Sequence, residues 1–429
     1  MEKIRKHAAG VDIGSSKVFV GLESGEVRSF EIFTSDFKLL ASYLKENQIQ
    51  TVAMEATGVY WVVLYDILVE NELDVWLVDG RQTKQVPGRK TDVKDCSWIQ
   101  QLHSHGLLNR CFVAEGLLKE LRSYQRLRED HLRSSAMHIN HMQKALIEMN
   151  LRLPEVLSQV HGKSGMAIIE AILAGERDKE VLLSLCHESI QKNKPEAVLK
   201  ALEGYYSKAG LFALQQAHQA YHFYQSQIEE CDLQIQQVLD QINQGNEQPA
   251  LSRKAIRHNR PHIENLGGHL LTIFAGKDAC VMPGITDYTW LQIYSEAGSD
   301  LSRWPTEKHF TSWLGLSPGQ HHSGKKRKSV KKGSPKAGQI FRQIAQSLIN
   351  SKKIAWGAFG RRLKSRKGPA IAIKATARKL AAQYWRLIVK GTSFVEKGVN
   401  QYQEQLTKQK YKHLNKLALE LGMSIVPNS

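Results

Sequence analysis

Cysteine is scarce in this chain of 429 residues, and the few that occur are scattered. None of them forms a Cys-x-x-Cys pair, and their number is odd: Cys96, Cys111, Cys186, Cys231 and Cys280. Such a set argues against a disulfide framework and against a cysteine-based zinc site. We therefore expect reduced thiols in a cytoplasmic protein.

Long apolar runs are also missing. No stretch of about 18 apolar residues occurs, so we expect no transmembrane helix and no membrane partner. The first residues, MEKIRKHAAGVDIG, have no apolar segment of the kind found in signal peptides. With 42% hydrophobic residues, the chain can bury two or three domain cores.

Acidic residues are absent from residues 308–395, which contain 21 Lys and Arg residues. The rest of the chain holds 38 basic and 42 acidic residues, so this segment carries the whole net charge of +17. A segment in which all charged residues are basic predicts a polyanionic partner, most simply nucleic acid. A basic solubilising tail is the alternative, but FRQIAQSLINSK and AIKATARKLAAQYWRLIV are patterned like folded amphipathic helices.

The hydrophobic pattern predicts three domains, 1–110, 111–250 and 251–429. The first shows three strands in succession and then alternating helices and strands, which indicates an α/β domain with a mixed sheet. In the second, apolar residues recur at steps of three and four from Leu214 to Ile242, as in a coiled coil. An antiparallel hairpin within one chain and a stalk between two chains both fit this repeat, and the apolar stripe could instead pack on the first domain. The third domain is predicted to be mainly helical and basic.

Four acids lie at the ends of predicted strands and at the start of a predicted helix in the first domain. Asp12 lies on the first strand, Glu55 ends the fourth, and Asp92 and Asp95 begin the helix after the fifth. If the first strand lies centrally beside the fourth, all four carboxylates converge at one sheet edge, where open α/β sheets place their sites. Oxygen ligands alone favour Mg²⁺ or Mn²⁺, and a pair of such ions about 4 Å apart supports phosphodiester cleavage.

Each acid also has a simpler interpretation. Asp-x-Gly between two strands, as at Asp12, also cradles phosphate in sugar kinases and actin-like ATPases. Glu55, Asp92 and Asp95 would be favourable as charges near helix N-termini.

Two groups of motifs resemble those of insertion sequence 110/1111 family transposases. The first group is GVDIGSSKVFVGL, MEATGVYW and PGRKTDVKDCSWIQQLHSHGLL, which resembles the family's DEDD domain of the RuvC-like, ribonuclease-H-type fold. The second is MPGITDYTWLQIYSEAGSD and FTSWLGLSPGQHHSGKKRKSVKKGSPKAGQIFRQIA, which resembles its second transposase domain. The resemblance covers about residues 1–110 and 275–350, in the family's order.

This resemblance implies roles for particular residues. Asp12, Glu55, Asp92 and Asp95 would bind the metal, and Ser323 would attack the DNA phosphate, with Ser317 as the alternative nucleophile. Independently of the resemblance, the charge of the loop around Ser323 suggests residues that hold the nucleic-acid backbone: Lys325, Lys326, Arg327, Lys331 and Lys332. A Ser-Gly turn in a solvated basic loop is the simpler interpretation of the segment around Ser323.

The resemblance further implies partners. Donor and target DNA would be joined under the direction of a structured bridge RNA, and the chains would form dimers that pair into tetramers. In these assemblies the acids of one protomer meet the serine of another. The location would be the cytoplasm of a bacterium, at the nucleoid.

Four other functions fit parts of the sequence. A Holliday-junction resolvase would use the four acids without a serine, and a DNA invertase of the same family would differ in its flanking DNA. An Asp-x-Gly ATPase or kinase would need a second Asp-x-Gly-x-Gly loop, which does not occur after residue 110. A non-catalytic nucleic-acid scaffold would explain the charge but would not require the four acids.

Overall fold

The computed structural model describes residues 2–83, 92–251, 253, 259–318, 322–323, 326–327, 335–351, 355–391, 404, 407–408, 411–412, 414–415 and 417–423. For seven of them the description is of the backbone alone: Asp92, Val93, His322, Ser323, Lys326, Arg327 and Ala355. Internal contacts divide the chain into two compact units, Met1–Val113 and Ala114–Ser429. The division into three domains, at 110/111 and 250/251, stays a prediction.

The first unit is built on one mixed sheet of five strands. The strands are β1 (Ala8–Ile13), β2 (Lys17–Gly21), β3 (Val27–Glu31), β4 (Thr51–Glu55) and β5 (Asp74–Val78). They lie in the order β3-β2-β1-β4-β5, with antiparallel pairing among the first three and parallel pairing from β1 through β4 to β5. Together with the helical remainder of the chain, this sheet confirms the predicted fold class.

Helices cover both faces of this sheet. They are α1 (Thr34–Glu46), α2 (Trp61–Glu70), α3 (Gly80–Thr83) and α4 (Asp92–Ser104). Leu40 of α1 and Leu64 of α2 share one core with Val11, whereas Ile99 of α4 packs with Ala53 in another. Burial on both faces explains why β1 and β4 read as nearly continuous apolar runs.

Two glycines let α4 pack directly on the backbones of β1 and β2. A Cβ at Gly10 would lie 2.2 Å from the backbone oxygen of Cys96, and one at Gly21 would lie 2.9 Å from the backbone nitrogen of Ser97. Any side chain at either position would therefore push α4 away from the sheet.

The second unit is mainly helical. Its helices are α5 (Gly116–Glu148), α6 (Leu153–Val156), α7 (Lys163–Leu173), α8 (Lys179–Ser184), α9 (Glu188–Asn193), α10 (Pro195–Ala201), α11 (Lys208–Ile242), α12 (Leu266–Ile273), α13 (Asp287–Ala297), α14 (Glu307–Trp313), α15 (Lys336–Asn350), α16 (Ala355–Lys367) and α17 (Pro369–Lys390). The unit also contains a 3₁₀ turn (Ala279–Val281) and a two-stranded pair, β6 (His322–Ser323) and β7 (Lys326–Arg327).

The long helices α5 and α11 pack side by side in opposite directions. Arg128 Nε donates to Asp232 Oδ1 at 2.5 Å, and Gln225 Nε2 donates to the hydroxyl of Ser135 at 2.7 Å. A later residue of α5 thus meets an earlier residue of α11, so the pair is antiparallel. The heptad pattern left three arrangements open, and the structure has the hairpin within one chain.

The C-terminal helices share a core that is rich in aromatic rings. Phe310 of α14, Phe341 of α15 and Tyr384 of α17 meet with ring centroids 5.7–6.5 Å apart. Arg386 of α17 pairs with Glu307, the acid that precedes the acid-free segment. This segment therefore contributes buried helices to a folded core over its described residues.

Hydropathy gives no membrane span in the described ranges: no helix there is both long and apolar enough to cross a bilayer.

Candidate functional site

Glu55 ends β4 at the carboxyl edge of the sheet, and it is only 8% exposed. Thr83 Oγ1 donates to Glu55 Oε2 at 2.6 Å. A Cβ on Gly80 would lie 2.3 Å from Glu55 Oε1, so a side chain there would displace the carboxylate from this position. The short helix α3 therefore constrains both oxygens of Glu55, one by a hydrogen bond and the other by close packing.

Asp12 lies beside Glu55 in the strand register. The last pair recorded between β1 and β4 joins Val11 to Met54, so Asp12 and Glu55 are the next residue on each strand. Asp12 is two residues beyond Gly10, so it shares the face on which α4 packs. Burial raises the pKa of the Cys96 thiol to about 11, and the charge of Asp12 adds to that rise. Asp12 is thus within electrostatic reach of α4.

The start of α4 lies at the same sheet edge. The backbone oxygen of Ser104, at the other end of α4, accepts hydrogen bonds from the backbone nitrogens of Ile4 and Arg5, which precede β1. Helix α4 therefore runs antiparallel to β1, and its first turn reaches the carboxyl end of the strand. Trp98 Nε1 also donates to the backbone oxygen of Thr83 at 3.1 Å. This hydrogen bond links α4 to α3, the helix whose Thr83 side chain contacts Glu55.

The two aspartates of α4 differ in how far they are described. Asp95 is half-buried one turn into the helix, whereas the description of Asp92 is confined to its backbone. Arg89 and Lys90, in the basic turn before α4, lie outside the described residues. The structure thus gathers Asp12, Glu55 and the first turn of α4 at one edge of the sheet.

The acids at this edge provide oxygen ligands. Over the described side chains, the oxygens of Asp12, Glu55 and Asp95 are not all within 4.8 Å of one another. Carboxylate oxygens without His or Cys ligands fit hard divalent cations.

Sequence reasoning missed Gly80 and Thr83, which hold Glu55 in place. Both belong to the four-residue helix α3, which is too short to leave a periodic pattern. Thr83 is 28 residues from Glu55 along the chain. Only the register of β4 and β5, which pairs Glu55 with Val78, brings α3 to this carboxylate.

The two candidate serines lie between α14 and α15 of the second unit. Ser317 is half-buried in a bend after α14. The backbone of Ser323 lies in β6, paired with that of Lys326 in β7, and two residues separate the strands in sequence. Arg327 is likewise described by its backbone, whereas Lys325, Lys331 and Lys332 lie outside the described residues.

The helices that flank the serines are held against each other. A Cβ at Gly338 of α15 would lie 2.1 Å from the backbone oxygen of Leu314, so α15 packs directly on the end of α14. Arg342 Nη2 also donates to the backbone oxygen of Gly315 at 3.4 Å. The segment with both serines therefore leaves and re-enters the helical core at neighbouring points.

Exposed cations also lie on α16, within the acid-free segment. They occupy its second half: Arg362, Lys364, Arg366 and Lys367. The total charge predicted such a surface, but sequence reasoning selected the loop around Ser323 and not this helix.

Two family models match the chain. A DEDD transposase model of the IS110 type matches residues 9–150, and a model described as Transposase IS116/IS110/IS902 family matches residues 279–359. The first match contains the four acids, and the second contains Ser317 and Ser323. The DEDD match also suggests a requirement for a divalent metal. A search of the curated proteins gave no match.

Proposed function

Because the chain belongs to the IS116/IS110/IS902 family of transposases, enzymes that cleave and rejoin DNA, we propose that it does so through a serine nucleophile. Mg²⁺ is the proposed metal, with Mn²⁺ as the alternative. The observation that carries the metal site is the adjacent register of Asp12 and Glu55 on two parallel strands, with the start of α4 at the same edge. The serine is supported by the second family match, which contains Ser317 and Ser323.

The chemistry proposed is an exchange of one phosphate ester for another. Ser323 Oγ loses its proton as it bonds to phosphorus, and the departing strand leaves as a hydroxyl. The reverse exchange, by a hydroxyl of the partner strand, rejoins the DNA. Metal ions held by Asp12, Glu55, Asp92 and Asp95 would supply charge stabilisation to the phosphate oxygens.

The proposal also assigns a role to the basic residues near Ser323. Lys325, Lys326, Arg327, Lys331 and Lys332 would hold the phosphate backbone and stabilise charge that develops on the scissile phosphate. Ser317 is the alternative nucleophile, because it lies in the same connection between α14 and α15.

The proposal includes a structured bridge RNA that pairs with donor and target DNA. A protein that leaves sequence reading to base pairing needs to grip a helical backbone without reading bases. The exposed cations on α16, with no acid among residues 308–395, support such a grip.

Assembly into dimers and tetramers is also proposed. Large apolar side chains are exposed on α11, away from its partner helix: Phe212, Phe223 and Leu233 are 64%, 59% and 60% exposed. Such residues on one long helix support contact with another copy of the chain.

The nucleophile can be tested by trapping protein on DNA. Cells would carry the gene with its flanking DNA and a target plasmid, and denaturing gels would reveal covalent adducts. We expect an adduct with the unmodified protein and with the control Ser329→Ala, and none with Ser323→Ala or Asp92→Asn. An adduct that survives Ser323→Ala but not Ser317→Ala would move the nucleophile to Ser317. Metal-dependent cutting that survives both would indicate a resolvase-like nuclease.

Mixing two inactive variants tests the assembly. If the acids of one protomer act with the serine of another, Ser323→Ala and Glu55→Gln chains expressed together form one intact composite site per mixed pair. We then expect recombination to return to a fraction of the unmodified level. No recovery, with mixed pairs present by co-purification, would place acids and serine of each site on one chain.

A further inference from the structure

A second cluster of ligand-forming side chains lies in the helical unit, outside the proposed catalytic residues. His218 and His222 are one turn apart on α11, and Glu170 on α7 approaches both. His218 Nε2 lies 3.1 Å from His222 Nε2, and Glu170 Oε1 lies 3.4 Å from the first and 3.8 Å from the second. Within the described ranges, no other His, Cys, Asp and Glu side chains form a group of three this close.

The three ligand atoms, His218 Nε2, His222 Nε2 and Glu170 Oε1, are spaced like neighbouring ligand atoms around one metal ion. Bonds of about 2.0–2.1 Å at tetrahedral angles place neighbouring ligand atoms roughly 3.3 Å apart. The three distances here, 3.1, 3.4 and 3.8 Å, lie around that value. Two imidazoles four residues apart on a helix face the same side, so the helix itself sets their spacing.

Ring packing orients these imidazoles. The ring of His222 packs edge-on against those of His218 and Tyr221, with centroids 4.5 and 5.4 Å away. Burial, followed by the neighbouring His222, lowers the pKa of His218, and the neutral imidazole is the form that binds metal ions.

We propose that Glu170, His218 and His222 bind one transition-metal cation of the Zn²⁺, Co²⁺ or Ni²⁺ class. Imidazole nitrogens suit these ions, whereas Mg²⁺ prefers oxygen alone. Three protein ligands leave a fourth position for water. The ion fastens α7, from the helical insertion between the two long helices, to α11.

This fastening adds to an apolar contact that is already there. Ile168 and Ile172 of α7 lie in one core with Leu214 and Ala217 of α11. The helices are therefore packed without metal, and removal of one ligand should leave the fold intact. This site shares no residue with the four acids. Its test is therefore independent of the proposed DNA chemistry.

The experiment uses the full chain, stripped with a chelator and returned to saturating Mg²⁺ so that oxygen sites are filled. Co²⁺ is then titrated and followed by visible absorption and calorimetry, for the unmodified protein, His218→Gln and Glu170→Gln. His141→Gln is the control, because His138 and His141 also form a histidine pair, on α5, with ring centroids 5.4 Å apart. We expect one Co²⁺ per chain, at least tenfold weaker binding in the two ligand variants, and no change in the control.

Thermal unfolding provides a second readout. Co²⁺ should raise the midpoint of the unmodified protein and of His141→Gln, and should raise it less in both ligand variants. With chelator, all four proteins should unfold at the same temperature. Equal Co²⁺ binding by all four, or no stoichiometric binding under saturating Mg²⁺, would overturn the proposal. If one ligand variant misfolds with chelator, the other and His222→Gln decide the outcome.

Discussion

The two units hold opposite charges in different ways. In the first, Glu55 is buried at a strand end and constrained on both oxygens by Thr83 and Gly80. In the second, Lys364 and Lys367 are exposed in the last turn of α16. The pairing of buried strands fixes the position of Glu55, whereas Lys364 and Lys367 lie on a helix surface beside other basic residues.

This difference indicates how each unit responds to substitution. A carboxylate that holds a metal must stand at one point, and no neighbour can take its place. A cation that attracts a phosphate backbone acts through total charge, which many residues share. We therefore expect large effects from single changes of the acids in the first unit and small ones from single changes of the cations on α16.

The largest effect is expected for Glu55→Gln. The amide keeps the shape of the side chain but removes the charge that a divalent ion needs. We expect recombination to fall about 10³-fold, which corresponds to roughly 4 kcal/mol of transition-state stabilisation. The measurement is the recombination rate between donor and target plasmids at equal protein levels.

Glu70→Gln is the control for this change, because Glu70 is an exposed residue at the end of α2 of the same unit. It should leave the rate unchanged. A Glu55→Gln protein with an unaltered rate would remove Glu55 from the metal site and weaken the contrast between the units.

A smaller effect is expected for Thr83→Val, which deletes the hydroxyl that donates to Glu55 at 2.6 Å. Loss of a group that orients a metal ligand commonly weakens metal binding about 10–100-fold. We expect the Mg²⁺ concentration for half-maximal cleavage to rise by about that factor, while saturating Mg²⁺ restores most of the rate.

Thr83→Ser keeps the hydroxyl and should behave like the unmodified protein. An identical Mg²⁺ requirement for the valine and serine variants would mean that Thr83 does not position Glu55. A loss of rate that no Mg²⁺ concentration restores would indicate damage to packing instead.

Much of the first unit could be predicted from sequence because its signals are local. Strands β1 and β4 read as apolar runs that end near Asp12 and Glu55, so the sheet edge and its acids followed from pattern and topology. Thr83 could not be predicted, since its role depends on a contact between segments far apart in sequence. Glu170 and His218 likewise are 48 residues apart, and only the packing of α7 on α11 joins them.

The helix pair shows the same limit. The apolar repeat from Leu214 to Ile242 predicted a long helix with one buried stripe, but the repeat does not indicate which segment packs against that stripe. The buried pair of Arg128 and Asp232 shows that α5 covers it. A sequence pattern thus fixes which face is buried, whereas tertiary contacts fix what buries it.

The smallest effect is expected when cations are removed from α16. Removing one cation that neutralises a phosphate should lower the slope of log affinity against log salt by about 0.9 for duplex DNA, and by less for single strands. We therefore expect the double variant Lys364→Ala/Lys367→Ala to bind nucleic acid a few-fold more weakly at moderate salt, with a slope shallower by about one to two.

The matched control is Lys200→Ala, because Lys200 is also an exposed lysine in the last turn of a helix but lies outside the acid-free segment. Its slope should equal that of the unmodified protein. Filter binding at several salt concentrations measures both. If the double variant instead abolished binding as completely as Glu55→Gln abolishes activity, the cations of α16 would act at fixed positions, and the contrast between a fixed acid site and a shared basic surface would fail.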